Sequence, residues 1–435
     1  MTIQHTRHLL QNAFNLTDTS HLVIVGEGVT GKSIAHFLSN LGYGFVWVDS
    51  RIAPFTENTF SDATHLFVSP GVSLSEPFIA RALSEGAKSI SDIDLFASLA
   101  KAPIVAISGA NGKSTVTTML GEMALACGKH VGVGGNLGTP VLDLLSDDVD
   151  LYVLELSSFQ LERTHTLNAV AATVLNISAD HLDRHGNLAD YAQTKARVFA
   201  GDGVMVINQD DEMVYVMRDQ TRKTLTFSTK QEADFYLNQN SLMHATTELM
   251  SLSALPLEGK HNAANALAAL ALAHAARLNV QACVRALQSF KALDHRMQRV
   301  SQKFGYSWVN DSKATNIGAC IAALEGYDEK VILIAGGDGK GADMNELAPI
   351  ICEKAKAVIL TGKDANLIEA ALNRLPTIIP AYHAYDMREV VAIASHIATD
   401  GDTILLSPAC ASLDQYQNYQ DRGNQFAQAI EALPA

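Results

Sequence analysis

The chain has no run of about 18 apolar residues, and its start shows no charged-then-apolar segment followed by small residues. That pattern excludes a membrane-spanning helix and predicts a soluble, unexported, cytoplasmic protein without membrane insertion. Cysteine is sparse: Cys127, Cys283, Cys320, Cys352 and Cys410 never fall in CxxC spacing. A zinc knuckle and a disulfide framework are thereby excluded, and a reducing cytosol fits. Positive charge is in deficit, with 32 Lys and Arg against 46 Asp and Glu and a net charge of −14. Nucleic acid is therefore a poor partner. Local glycine loops with a few basic side chains can still make an anion site in so acidic a chain. Repeats of about 20 to 50 residues and low-complexity tracts are also missing, which leaves an array architecture without support. What remains is an ordinary globular composition, 48% hydrophobic, in 435 residues. This is too long for one core and suggests about three domains.

The most telling stretch is Ser108-Gly109-Ala110-Asn111-Gly112-Lys113-Ser114-Thr115, entered by the apolar strand Pro103-Ile104-Val105-Ala106-Ile107 and left by a helix ending at Gly128. Its glycines let backbone N–H groups turn around a polyphosphate. Lys113 supplies a point charge for the outer phosphates, and Ser114 or Thr115 can reach a metal ion. The strict pattern asks for glycine where Ile107 stands. That strict pattern occurs instead at Gly26-Glu27-Gly28-Val29-Thr30-Gly31-Lys32-Ser33, which also satisfies the dinucleotide fingerprint. Two chemistries thus compete for one loop, and on the fingerprint alone a nicotinamide dinucleotide leads. The context is a βαβ unit, strand 22–25, a helix from Ser33 to Leu41 and strand 45–48, with Asp49 at its end to accept from ribose or base. We read this region as a nucleotide-moiety binder and not as the site of ATP cleavage.

A third strand, 65–68, leads to the turn Ser69-Pro70-Gly71-Val72. The pattern resets around Ser91 to Lys101, and strands at 103–107, 130–134, 150–155 and 169–176 alternate with helices, as a mostly parallel sheet requires. Residues 203–253 are less regular and stay unplaced apart from strands at 204–207 and 224–227. After a boundary near Leu293, strands at 306–310, 330–334, 357–360 and 403–406 make a third α/β set. The fold class is therefore α/β with three domains, at residues 1–91, 92–292 and 293–435.

Polar residues gather after these strands. Glu155 reads as a Mg²⁺ carboxylate or as a partly solvated strand end. His181, in Asp180-His181-Leu182-Asp183-Arg184-His185, reads as a metal ligand or a surface histidine. Lys195 reads, from the residues alone, as a solvated helix lysine. Asn310-Asp311-Ser312-Lys313-Ala314-Thr315-Asn316, Gly336-Gly337-Asp338-Gly339-Lys340-Gly341 and Ser407-Pro408-Ala409-Cys410-Ala411-Ser412-Leu413-Asp414 each follow a strand and make a binding rim.

Taken in order, the cradle at 109–115, Glu155-Leu156-Ser157-Ser158-Phe159-Gln160-Leu161, the Asp180–His185 run, Asp294-His295-Arg296, the 310–316 run and Ser407-Pro408-Ala409-Cys410-Ala411-Ser412 resemble the Mur ligases. These are ATP-dependent amino-acid ligases of peptidoglycan precursor synthesis, and the 310–316 run points to the branch that adds D-glutamate. The resemblance spans nearly the whole chain. It implies an N-terminal Rossmann-like domain for the UDP-sugar, a central P-loop-like ATPase sheet, and a C-terminal Rossmann-like domain for ATP and the amino acid. It also implies that the N-terminal loop holds uridine diphosphate. The residues implied there are Val29, Thr30, Asp49, Ser50, Arg51, Ser69, Pro70, Gly71 and Val72, with Asn136 reaching the muramoyl part. ATP would meet Gly109, Ala110, Asn111, Gly112, Lys113, Ser114 and Thr115, with Asn265, Arg296 and Asp311 on adenine and ribose. D-Glutamate would meet Thr315, Lys340, Ser412, Leu413 and Tyr419. Catalysis would use Lys113, Glu155, His181 and Lys195. Two Mg²⁺ ions are implied, one by Ser114 or Thr115 and Glu155, the other by His181 and a carbamylated Lys195.

The implied reaction joins D-glutamate to UDP-N-acetylmuramoyl-L-alanine through an acyl phosphate and a tetrahedral intermediate, in a monomer. Two positions depart from expectation: Lys32 completes an accidental P-loop pattern, and Tyr419 stands where phenylalanine is expected. Rival readings are a nicotinamide-dependent dehydrogenase, an ATP-hydrolysing switch and a polyglutamate-forming ligase.

Overall fold

Short apolar strands alternating with helices assemble into three sheets in the computed structural model, which describes residues 2–257 and 259–434. They fall into two compact units. No described helix is long and apolar enough to cross a membrane.

The first unit comprises Met1–Asn176, Ala192–Ser251 and Asn265–Leu287. One of its sheets has four parallel strands in the order Phe45–Val48, Leu22–Val25, His65–Val68, Lys88–Ser89. Val23, Val25, Leu66 and Val68 pack there with Phe60 and Ile79. The first helix after the fingerprint spans Val29–Asn40 and begins earlier than the apolar pattern alone predicts, because Gly28 is its N-cap. Gly31 lets that helix sit on the turn. A Cβ there would stand 2.0 Å from the Gly26 carbonyl oxygen.

The other sheet of this unit has nine strands. In order they are Thr247–Ser251, Ser241–His244, Phe235–Asn238, Thr224–Ser228, Val204–Asn208, Ala171–Val174, Ile104–Ser108, Leu151–Glu155 and Val131–Gly135. Residues 171–174, 104–108 and 151–155 are buried throughout, which is why they read as continuous apolar runs. The chain leaves Ile104–Ser108 towards one side of the sheet and later returns to its other side. Its C-terminal end is thus the crevice where open α/β sheets bind ligands. The irregular segment is an antiparallel meander over 235–251. Its hairpin turns place Gln239 and Ala245 in the left-handed region, so the usual glycine signal is missing there.

The second unit comprises Ile177–Tyr191, Leu252–Ala264 and Gln288–Ala435. Its sheet runs Gln298–Ser301, Ser307–Asn310, Thr403–Leu406, Val331–Gly336, Ala355–Thr361, Ala381–His383, parallel except for the first pair. Both faces are covered. Leu333, Val358 and Leu405 pack under helices Ile317–Glu325, Ala348–Lys354 and Ala365–Leu372. Trp308, Ile332, Ile404 and Phe426 fill the other face. Apolar patterning marks the four inner strands. The two edge strands are short, and neither carries that signal.

Candidate functional site

The loop at 109–115 is built on two glycines at positions where a side chain would be strained. Gly109 has φ +145°, and a Cβ on it would lie 3.0 Å from the Leu175 Cβ. Gly112 has φ +83°, and a Cβ there would lie 2.4 Å from Asn265 Oδ1. Because Gly112 is the N-cap, the helix starts at once, spanning Lys113–Ala126. Ser114 and Thr115 are therefore buried in its first turn, where the partial positive charge of the helix is greatest. Asn176 brackets the loop: its Oδ1 accepts from the Asn111 amide at 2.8 Å, and its Nδ2 donates to the Asn111 carbonyl at 3.1 Å. Ile107 needs no glycine conformation, since it is still inside the sheet, in register with Glu155 and Thr173.

Lys113 Nζ donates to the carbonyls of Gly109 and Ala110 at 2.8 and 2.7 Å. Lys195 Nζ donates to the same Gly109 carbonyl at 2.9 Å. Lys195 is 1% exposed. The solvated-lysine reading is thus overturned, because helix Leu188–Ala196 turns this residue inwards. Glu155 likewise is not a solvated strand end; it is 2% exposed. Its Oε1 accepts from Asn136 Nδ2 at 2.6 Å, while its Oε2 is buried without a hydrogen-bond partner. Among the described residues no three of His, Cys, Asp and Glu converge as a metal cage. Mg²⁺ asks for less than that, since it keeps waters and phosphate oxygens and takes one or two carboxylates. The unsatisfied Glu155 oxygen, at the end of the strand paired with the cradle strand, fits such an ion.

The loop at Gly26 is used differently. Its carbonyl accepts from Trp47 Nε1 at 3.1 Å and from Ser69 Oγ at 3.2 Å, and the Glu27 amide donates to Asp49 Oδ2 at 2.8 Å. An amide that a phosphate cradle would aim at its ligand is already satisfied, and Lys32 is exposed. Asp49 is buried and also accepts from Arg51 Nε at 2.9 Å. The Arg51 guanidinium and the Glu27 amide hold its carboxyl well below the usual range. Val29 and Thr30 open the helix, Ser50 and Arg51 are exposed, and Ser69 is buried while Gly71 is open.

Sequence reasoning missed Arg163, which is buried behind the Ser69–Val72 turn. Nothing in a single arginine after Glu162 announces burial. Also missed was Arg422 in the second unit, whose Nε donates to Ser312 Oγ at 3.0 Å and whose Nη1 donates to the Cys410 carbonyl at 3.1 Å. It ties the 310–316 loop to the 407–414 loop, and burial pulls its pKa down to about 10.

Within the second unit the structure brings Asp180, His181, Asn316 and Lys340 together. Lys340 Nζ is 2.8 Å from Asp180 Oδ1, and Asn316 Nδ2 donates to Asp180 Oδ2 at 3.2 Å. His181, with φ 54°, places Nε2 3.6 Å from Asp180 Oδ1. Burial alone would raise the Asp180 carboxyl, but Lys340, His181 and Asn316 hold it below its ordinary value. Asp311 accepts from Ser407 Oγ at 2.9 Å and from the Met297 amide at 3.3 Å. Burial pushes its pKa up to about 7, against the pull of Ser407 and Arg296. Thr315 is half-buried, Ser412 is buried and Leu413 is 73% exposed. Tyr419 opens helix Tyr419–Glu431, with Lys313 Nζ 3.9 Å from its ring centroid. Of the sequence-predicted residues, Lys113, Glu155, Lys195 and Asn265 belong to the first unit, and His181, Arg296, Asp311 and Lys340 to the second.

Residues 107–273 match the Mur ligase middle domain, and residues 295–410 the Mur ligase glutamate ligase domain. The chain is 47% identical to the UDP-N-acetylmuramoylalanine--D-glutamate ligase of Methylococcus capsulatus over 95% of each chain. It is 44% identical to the enzyme of the same name from Pseudomonas aeruginosa, over 94% of this chain and 98% of that one. In fold it is similar to a pseudomurein peptide ligase type C from Methanothermus fervidus, with a TM-score of 0.64 at 17% identity over 95% and 99% of the two chains. It is also similar to a UDP-N-acetylmuramate-alanine ligase from Thermotoga maritima, with a TM-score of 0.61 at 18% identity over the same shares.

Proposed function

This chain belongs to the Mur ligase family, and from that premise we propose that it joins D-glutamate to UDP-N-acetylmuramoyl-L-alanine at the expense of ATP. A carboxylate is a poor electrophile. ATP therefore phosphorylates the terminal L-alanine carboxylate to an acyl phosphate, the D-glutamate amine attacks that carbonyl, and phosphate leaves the tetrahedral intermediate. Charge accumulates at each stage, so catalysis needs fixed positive charge more than a nucleophilic side chain.

The observation that carries this reading is the pairing, at the C-terminal end of neighbouring inner strands, of a glycine cradle holding two lysine ammonium groups with the unsatisfied Glu155 Oε2. Lys113 would leave its own loop carbonyls for the outer phosphates of ATP. Residues 109–115 would wrap the phosphates, and Asn265, beside Gly112, would touch the nucleotide. Mg²⁺ would take Glu155 with Ser114 or Thr115, and would supply charge neutralisation on the transferring phosphoryl group. A second Mg²⁺ would take His181, and Lys195 would join it as a ligand only if carbamylated, since an ammonium cannot ligate a cation.

Residues 1–91 would bind the UDP moiety through Asp49, Arg51 and the Ser69–Val72 turn, residues 92–292 would bind ATP, and residues 293–435 would bind D-glutamate. In that last segment Lys340 would pair with a substrate carboxylate near Thr315, Ser412, Leu413 and Tyr419, and Arg296 and Asp311 would face adenine and ribose. The enzyme would act in the cytoplasm as a monomer. Phosphate release from ATP is expected only when both the UDP-linked acceptor and D-glutamate are present. Release without either, or a change in NADH absorbance, would overturn the ligase reading.

A further inference from the structure

The guanidinium of Arg163 is 1% exposed, yet it carries a charge the proposed reaction does not use. Every donor of its planar fork is engaged. Nε donates to the Phe159 carbonyl at 3.1 Å. Nη1 donates to the carbonyls of Val68 at 2.6 Å and Ser69 at 3.0 Å. Nη2 donates to Val72 at 3.0 Å, to Pro70 at 3.4 Å and to Glu162 Oε2 at 3.3 Å. Four carbonyls of one turn, those of Val68, Ser69, Pro70 and Val72, therefore converge on one side chain. A trans peptide carries its N–H opposite its C=O, so turning the Pro70 carbonyl towards Arg163 turns the Gly71 N–H away from it. Lysine could not do this, having three donors on a point charge and no fork.

The partners of this arginine span two sheets. The turn it grips follows His65–Val68 of the four-stranded sheet. Arg163 itself follows Leu151–Glu155 of the nine-stranded sheet through the short helix Ser158–Leu161, which Ser157 caps. Glu162 balances part of its charge, with Oε2 3.3 Å from Nη2, and Arg163 also pulls on the buried Asp92, whose carboxyl burial nevertheless pushes up to about 6.

We propose that Arg163 is a positioning residue, which fixes the Ser69–Val72 turn relative to the strand end carrying Glu155. Binding of the UDP moiety is thereby coupled to placement of the acceptor's carboxylate before the phosphate cradle. This rests on the assignment of that turn to the UDP moiety in the proposed function.

The test compares Arg163→Lys, Arg163→Ala and Asp92→Asn with wild type, measuring calorimetric affinity for the UDP-linked acceptor and for ADP, kinetic constants for all three substrates, and melting temperature. Arg163→Ala should weaken acceptor binding about 10- to 100-fold, as loss of a charge-assisted network does, and leave ADP affinity within about twofold. Methylguanidinium should restore part of the acceptor affinity, and Arg163→Lys should recover less than half of it on a logarithmic scale. Should Arg163→Ala fail to fold, Arg163→Lys and Asp92→Asn are expected to show the same selective rise in acceptor KM. Folded variants with unchanged acceptor affinity, or with acceptor, ADP and D-glutamate constants all worsened in step, would overturn the positioning role. A wild-type protein that binds ADP but not the acceptor would instead overturn the ligase reading, and this inference with it.

Discussion

Lys113 and Lys195 place their ammonium groups on one acceptor, the Gly109 carbonyl, at 2.8 and 2.9 Å. Two cations sharing a carbonyl in a buried loop repel each other, and an anion relieves that repulsion. A phosphate can serve, and so can conversion of Lys195 itself into a carbamate, in which the neutral amine adds CO₂ and releases a proton. Lys195→Ala should therefore lower kcat by about 10³ or more, and short carboxylic acids such as acetate should restore part of it. Turnover that survives the substitution, or an inactive Lys195→Ala that short carboxylates fail to rescue together with a wild type that added bicarbonate leaves unchanged, speaks against the carbamate.

Glu155 Oε2 is a buried acceptor with nothing to accept, and an unpaired buried carboxylate oxygen costs free energy unless a ligand satisfies it. Glu155→Gln should raise the Mg²⁺ concentration for half-activation and reduce kcat by about 10²–10³ at saturating substrates. A Mg²⁺ titration superimposable on that of wild type removes Glu155 from the metal.

At Gly112 the backbone is left-handed, and an added methyl group collides with Asn265 Oδ1. Gly112→Ala is expected to cost about 1–2 kcal/mol in backbone strain and to weaken ATP binding as Asn265 is displaced. Thermal melts with and without ATP would separate the two effects. Equal stabilisation of both proteins by ATP would count against any role for this contact.

Lys340 is held by a protein carboxylate, Asp180, before any substrate arrives. Lys340→Ala removes a charge-assisted contact worth about 1.5–3 kcal/mol, so KM for D-glutamate should rise about 10- to 150-fold, with KM for ATP little changed. Initial rates against D-glutamate decide the matter, and a rise confined to ATP would reassign the residue.

Asp311 offers a pH test whose sign follows from its environment. Its folded pKa, about 7, lies above its ordinary value of 3.8 because burial disfavours the charge. The folded state thus holds a proton that the unfolded state releases, and the contribution is complete below about 4 and lost as pH rises through about 7. Wild-type stability should fall across that window by an amount on the order of a few kcal/mol that Asp311→Asn makes smaller. Denaturant melts from pH 4 to 8 would show it, and parallel curves for the two proteins would mean that Asp311 is ionised in the fold.

Much of the scaffold was legible because parallel sheets bury their strands on both faces. Runs such as Leu22–Val25, His65–Val68 and Thr403–Leu406 carry their burial in their composition, and their observed bounds equal the expected ones. Helix starts were less legible. Val29 and Lys113 open helices because Gly28 and Gly112 cap them, and that depends on backbone conformation more than on apolar period. The meander over 235–251 escaped notice since its turns put Gln239 and Ala245, not glycine, at positive φ.

By itself the sequence determined the α/β class, the glycine loop between strand and helix at 109–115 and the ordered motifs that mark the family, because these depend on local spacing along the chain. Tertiary structure alone decided that Lys195 is buried on the Gly109 carbonyl, that Glu155 keeps an unsatisfied oxygen, that Asp180 holds Lys340 and that Arg163 grips the Ser69–Val72 turn. Each of these joins residues distant in sequence through burial and direction. A lone lysine or arginine in a sequence carries neither of those until the sheets have packed around it.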